Sequence, residues 1–196
     1  MNEMKPNLPD IGRLLPVDIR KVWDHEARDF TPWLLENSDR LSEALGLDLE
    51  IEAAEHPVGS FSLDLIGRDL DTERRVIIEN QLDGTDHGHL GQIMTYAGGT
   101  DPKIIVWIAK SFREEHAAAL QWLNEITDEE INFYGVELSA VQIDDSRPAA
   151  LFNLVVRPNT WEKSVRTSTT RSTTRSALAE KYAEFWNLFG TKLNSL

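Results

Sequence analysis

The stretch RRVIIENQL, Arg74 to Leu82, constrains the fold more than any other. Val76, Ile77 and Ile78 form an unbroken apolar run, the pattern of a strand buried on both faces and therefore central in a sheet. The run ends in Glu79, Asn80 and Gln81, so a central strand carries an acid and an amide at its end. Residues two apart on a strand share a face, which puts Glu79 and Gln81 side by side.

The flanking sequence supplies the rest of an α/β domain. Residues 1–17 hold Pro6, Pro9 and Pro16 and are expected to be irregular. From Asp18 to Gly46 apolar residues recur at helical spacing, with Pro32 in the first turn of a second helix, Thr31 as its cap and Gly46 as a stop. LDLEIEAAEH then alternates as a half-buried strand, and Val58-Gly59-Ser60 turns the chain. FSLDLIGRDL alternates again, with Phe61, Leu63 and Leu65 on one face and Ser62, Asp64 and Ile66 on the other. DLDTE closes a hairpin onto RRVIIENQL. A helix follows from Gly88 to Ala97, ended by Gly98-Gly99, then the buried strand KIIVWIA and a helix from Arg113 to Ile126. INFYGVELSAVQI and AALFNLVVRP are two further strands. The order predicts a mixed β-sheet flanked by helices. Residues 161–176 form a polar, basic linker, and residues 177–196 an amphipathic C-terminal helix, the start of a second module or a dimerisation element.

Charge and composition narrow the function. The chain has no cysteine, which excludes disulfides, thiolate zinc sites and a cysteine nucleophile. No apolar run approaches membrane-spanning length, and MNEMKPNLPDIGRLLP lacks the layout of a signal peptide, so a soluble cytoplasmic protein is expected. Residues 1–156 carry 13 Lys/Arg against 30 Asp/Glu, whereas the strip from Arg157 to Lys181 is basic. Tryptophans 23, 33, 107 and 122 sit at core spacing, and His116 is expected to be structural.

Asp64 on the second strand and Glu79 on the third belong to one hairpin, so their ends can be neighbours. Two carboxylates, an amide and a strand carbonyl at one edge can hold a hard divalent cation in oxygen, as Mg²⁺ requires. Such an ion polarises a phosphate and activates a water. The structural alternative is a pair of solvated acids on an edge strand. Thr85 and Asp86 can cap the following helix, whose N-terminus favours a phosphate. His89 shares a helical face with Gln92 and can bring positive charge there; His87 reads as a loop histidine.

The pattern DLIGRD…RRVIIENQ…GQIMTYAGG, with EARDFTPWLLEN upstream, resembles the PD-(D/E)XK nuclease superfamily, in particular its mismatch and branch-structure endonucleases. The likeness covers about residues 20–110. It implies a restriction-endonuclease-like core over residues 18–160 and a Mg²⁺- or Mn²⁺-dependent endonuclease acting on DNA, with RNA not excluded. Asp64 and Glu79 match the metal ligands. Glu26 or Glu36 matches the first-helix acid, and Glu26 is preferred because Glu36 precedes the turn that ends the helix. Gln92 matches the glutamine of the following helix, and Tyr96 lies one turn on; His89 and Tyr96 are the candidate phosphate contacts. Gln81 stands where the family carries lysine. Glutamine orients water but brings no charge, and although active restriction enzymes with glutamine there are known, the departure leaves open a catalytically degenerate module that binds nucleic acid or protein. Arg166, Arg171 and Arg175 are the candidate DNA contacts of an otherwise acidic chain, and the apolar side of the last helix implies a homodimer.

Overall fold

A computed structural model describes residues 11–159. The expected linker, the C-terminal helix, Arg166, Arg171 and Arg175 lie outside the described residues.

One mixed sheet of seven strands organises the described residues. Strands β2 (Leu49–Val58), β3 (Phe61–Asp69) and β4 (Arg74–Gly84) form an antiparallel meander. Next come β5 (Ile104–Ser111), parallel to β4, and β6 (Asn132–Ile143), parallel to β5. Parallel neighbours need crossovers, and helices α4 (His87–Thr100) and α5 (Glu114–Ile126) supply them. β7 (Ala149–Val156) and β1 (Leu14–Val17) both run antiparallel to β6. The four residues of β1 were expected to be irregular. Pro16 is tolerated because β1 pairs with β6 alone among the described residues, and proline is admissible where an edge asks for no donor.

The helical region before β2 is broken into short pieces. α1 (Ile19–Val22), a π-helical turn at Glu26–Phe30, α2 (Thr31–Glu36) and α3 (Ser38–Leu45) follow one another. Pro32 sits in the first turn of α2 as expected, but Thr31 does not cap it: its hydroxyl accepts the Asn80 side-chain N–H at 3.1 Å. Gly46 ends α3 in the left-handed region at φ 67°. The Gly98-Gly99 pair does not end α4, which continues to Thr100 and closes at Asp101 with φ 48°. Glycine there lets β2 approach, since a Cβ on Gly99 would lie 2.8 Å from Val58.

β4 is buried throughout its middle, and its two faces feed two cores. Val76, Ile78 and Leu82 pack with Phe30, Leu34 and Leu41 of the N-terminal helical layer. Ile77 packs with Ile93 and Tyr96 of α4 and Leu120 of α5. Leu63 and Leu65, expected on one face, divide between the layers: Leu65 faces the N-terminal helices and Leu63, with Ile66, faces α4 and α5. Asp64 lies between the two leucines, opposite Glu55 of β2, whose backbone is left-handed at φ 53°. Trp23 and Trp107 are core as expected, but Trp122 is 57% exposed on the outer side of α5.

Candidate active site

The site lies where β3 parts from β4. The last residues paired across those strands are Leu65 and Ile78. Beyond them the N–H groups of Asn80 and Leu82 point away from β5, toward the edge β3 has left. Two carboxylates replace the missing strand. Asp64 Oδ2 accepts the Asn80 N–H at 2.7 Å, and Glu26 Oε2 accepts the Leu82 N–H at 2.7 Å. The π-helical turn therefore brings Glu26, and not Glu36, to the end of the central strand. Glu36 is exposed at the last residue of α2.

Glu79 shares a face with Gln81, and both are buried, at 5% and 4% exposure. Burial, with Asp64, Glu26 and Glu55 adding to the rise and the Asp64 backbone N–H opposing it, lifts the Glu79 carboxyl to about 9. Burial likewise raises Asp64 to about 7, against the pull of the Asn80 N–H and with Glu26 and Glu55 adding to the rise. Acids that repel one another in a desolvated place hold protons until something positive replaces them. Glu55, which sequence pattern did not single out, belongs to this field. Its neighbours Ala54 and His56 pair with Leu65 and Leu63, so it stands opposite Asp64, and its carboxylate accepts the Ser62 hydroxyl at 2.8 Å. Only the left-handed backbone at Glu55, invisible to hydrophobic periodicity, reveals it.

The Gln81 amide is tied to the turn that follows β4. Its Nε2 donates to the Gly84 carbonyl at 2.9 Å and to Asp86 Oδ2 at 2.7 Å. Both partners are acceptors, so the amide NH₂ must point there and the amide oxygen away from them. That oxygen and Glu79 Oε2 are buried with no hydrogen-bond partner among the described residues. Asp86 caps α4 through the His89 N–H at 3.0 Å, and its Oδ2 also meets His89 Nδ1 at 2.8 Å. Burial pulls the Asp86 carboxyl upward, but the His89 backbone, the His89 ring and the Gln81 amide hold it down at about 2.

Gln92 is half-buried on α4, three residues after His89. Tyr96 is no surface contact: it is 1% exposed, and its hydroxyl donates to the Ser62 carbonyl at 2.8 Å. Burial, with Glu79, Asp64 and Glu55 nearby, raises its phenol to about 12. It braces the start of β3. His116 is buried as expected, with Nδ1 2.8 Å from Thr85 Oγ1 and Nε2 2.8 Å from His87 Nδ1. His87 thus pins the first turn of α4 to α5.

No protein-family model matches the chain, and no curated protein matches it. Among solved structures, a repair endonuclease from Pyrococcus abyssi is similar with 16% identity and a TM-score of 0.41, over 51% of this chain and 44% of that one. EndoMS in its complex with dsDNA is similar with 17% identity and a TM-score of 0.41, over 55% of this chain and 43% of that one. The chain spans less than half the length of either structure.

The donor set suits a hard cation. Two acceptors of the same kind, Glu79 Oε2 and the Gln81 amide oxygen, are buried without a donor. Among the described residues no group of three or more His, Asp or Glu side chains converges into a closed metal cage. Asp64 and Glu79 could supply two carboxylates to an ion that keeps water in its remaining positions. That is the mode in which Mg²⁺ is commonly bound. A cleft of about 640 Å³ opens at the other end of β4, between Arg68, Arg74, Arg75 and Lys103, and contains none of these groups.

Proposed function

We propose that the protein is a divalent-metal-dependent nuclease of the PD-(D/E)XK type that hydrolyses phosphodiester bonds of DNA. The observation that carries this is the pair Asp64 and Glu79 at the point where β3 leaves β4, each in the other's field and in that of Glu26, with an unpartnered carboxylate oxygen on Glu79. Mg²⁺ or Mn²⁺ would be held by Asp64 and Glu79, with the Asn80 carbonyl available beside them. Such an ion supplies Lewis acidity toward a phosphate oxygen and a lower pKa for water.

The chain's own residues do the positioning. Asp64 and Glu26 hold the last two free N–H groups of β4, so the strand end stays rigid without a neighbouring strand. Gln81 fixes the loop from Gly84 to Asp86 and so the entrance of α4. His89 and Gln92 stand on that helix at the substrate side. The described body is acidic and repels a phosphate backbone, so affinity for DNA draws on the basic strip that includes Arg166, Arg171 and Arg175. A homodimer joined through the C-terminal residues belongs to the same proposal, and sedimentation of the full chain tests it.

The deciding experiment is a cleavage screen with Mg²⁺ and Mn²⁺ across duplex, single-stranded, branched and mismatched DNA and the corresponding RNA. Cleavage by the natural protein and none by Glu79→Gln is expected. A second reading, a nuclease-like module that binds without cutting, is favoured by one observation: the residue in the lysine position spends both amide hydrogens on Gly84 and Asp86. Calorimetric titration separates the two. Metal binding that Glu79→Gln abolishes supports the enzyme, whereas no binding at millimolar metal, with or without DNA, supports the module.

A further inference from the structure

We infer that His89 is the catalytic proton acceptor of this site and that Asp86 is the positioning residue that sets its tautomer. The inference rests on the nuclease reading and assigns to side chains what a lysine does elsewhere. Asp86 Oδ2 receives two groups at once, the Gln81 amide at 2.7 Å and His89 Nδ1 at 2.8 Å. The residue in the lysine position and the histidine are thus joined through one oxygen. An ionised carboxylate is an acceptor only, so Nδ1 must carry the hydrogen. The free nitrogen of the neutral ring is then Nε2, with its lone pair available. The His89 side chain is 29% exposed, which lets a water reach it, and its backbone N–H is locked to Asp86 Oδ1.

The other groups of the site have other tasks: Glu79, whose Oε2 is unpartnered, is the ion's ligand in the proposed function. Asp64 and Glu26 hold backbone N–H groups of β4, and Gln81 has no basic nitrogen. The charged groups whose field links to His89 are Asp86, from its own helix cap, and Asp64, from β3. Asp86 stabilises the imidazolium once it forms, as the aspartate of a catalytic triad does.

A water lying in line with the scissile phosphorus loses a proton to His89 Nε2 as its oxygen bonds to phosphorus. The bond from phosphorus to one sugar oxygen breaks, and that oxygen takes a proton from solvent. His89 then returns its proton to solvent.

Three proteins test this: the natural chain, His89→Gln and Asp86→Asn. In the natural chain kcat should fall on the acidic side through a single protonation. His89→Gln should lower kcat by about 10²- to 10⁴-fold and remove that limb. Its Mn²⁺ affinity, read by calorimetry, should stay within about twofold, since ring loss leaves Asp64 and Glu79 in place. Nitrogen-15 NMR of the metal-free natural chain should show Nδ1 protonated in neutral His89, and Asp86→Asn should move the hydrogen to Nε2 and lower kcat in parallel. Unchanged kcat in His89→Gln, or an acidic limb that survives it, overturns the assignment while leaving the nuclease reading intact. Loss of Mn²⁺ affinity in His89→Gln also overturns it, because the ring would then be serving the site's structure. No cleavage of any substrate by the natural chain defeats the nuclease reading and this one with it.

Discussion

Glu26 and Asp64 occupy consecutive places on one edge of β4, each accepting a backbone N–H at 2.7 Å, from Leu82 and Asn80 respectively. One comes from a π-helical turn and the other from the neighbouring strand, 38 positions apart in numbering but one strand period apart in space. They complete the ladder that β3 abandons, so a buried strand end keeps its donors paired. The same two interactions hold three carboxylates in one another's field, which would cost stability anywhere the arrangement had no use.

Asp64→Asn should separate chemistry from folding. Its amide oxygen can still accept the Asn80 N–H, whereas Asp64→Ala leaves that donor unpaired at a cost of about 1–3 kcal/mol. Both variants should lose Mn²⁺ binding by calorimetry. Only the alanine variant should lose Tm, and an equal loss in both would mean that the carboxylate is structural.

Stability of the metal-free protein should fall as pH rises. Folding raises Asp64 from 3.8 to about 7 and Glu79 from 4.5 to about 9. The folded state therefore binds more protons than the unfolded chain between those values. The stabilisation is complete below the unfolded pKa values and disappears as pH passes through the folded ones. Each tenfold tightening of proton binding corresponds to about 1.4 kcal/mol. Thermal denaturation from pH 5 to pH 9 should show a declining Tm, reduced by Glu79→Gln and offset by millimolar Mg²⁺. A Tm that rises across this range contradicts the arrangement.

Tyr96→Phe should cost about 0.5–1.5 kcal/mol, the worth of one buried hydrogen bond to the Ser62 carbonyl. Its KM for DNA should not change. A raised KM at unchanged stability would return Tyr96 to the substrate surface.

Gln81→Lys should be accommodated, because an ammonium can donate to the same Gly84 carbonyl and Asp86 carboxylate. Tighter DNA binding is expected from the added charge. Gln81→Glu should do the reverse, setting a carboxylate against Asp86 and loosening the first turn of α4. Hydrogen exchange at the His89 amide, which is bound to Asp86 Oδ1, measures that loosening directly.

Replacing Arg166, Arg171 and Arg175 by Gln should weaken DNA binding and lower the slope of log affinity against log salt by up to about three counterions' worth. Unchanged affinity and slope would reduce the strip to a tether.

Much of this protein follows from local pattern. The apolar runs of β4 and β5, the alternation of β2, the helical spacing of α5 and the Asp86 cap of α4 depend on neighbours within a few residues, so the sequence by itself determines them. The short DLDTE loop is also local, and the hairpin it closes between β3 and β4 is enough to bring Asp64 and Glu79 close together. Tertiary structure decided the rest. β1 is a strand only because β6 offers it an edge, and Trp122 is exposed only because nothing among the described residues covers that side of α5. Leu63 and Leu65 divide between two layers on either side of Asp64, opposite Glu55, a residue whose type does not announce its left-handed backbone. Glu26 is distinguished from Glu36 by a hydrogen bond to Leu82, 56 residues away. Gln81 and His89 meet on one oxygen of Asp86, a geometry set by the turn between β4 and α4. Periodicity reports which face a residue occupies; which groups meet across faces depends on chain segments far apart in sequence, and only the folded sheet brings those together.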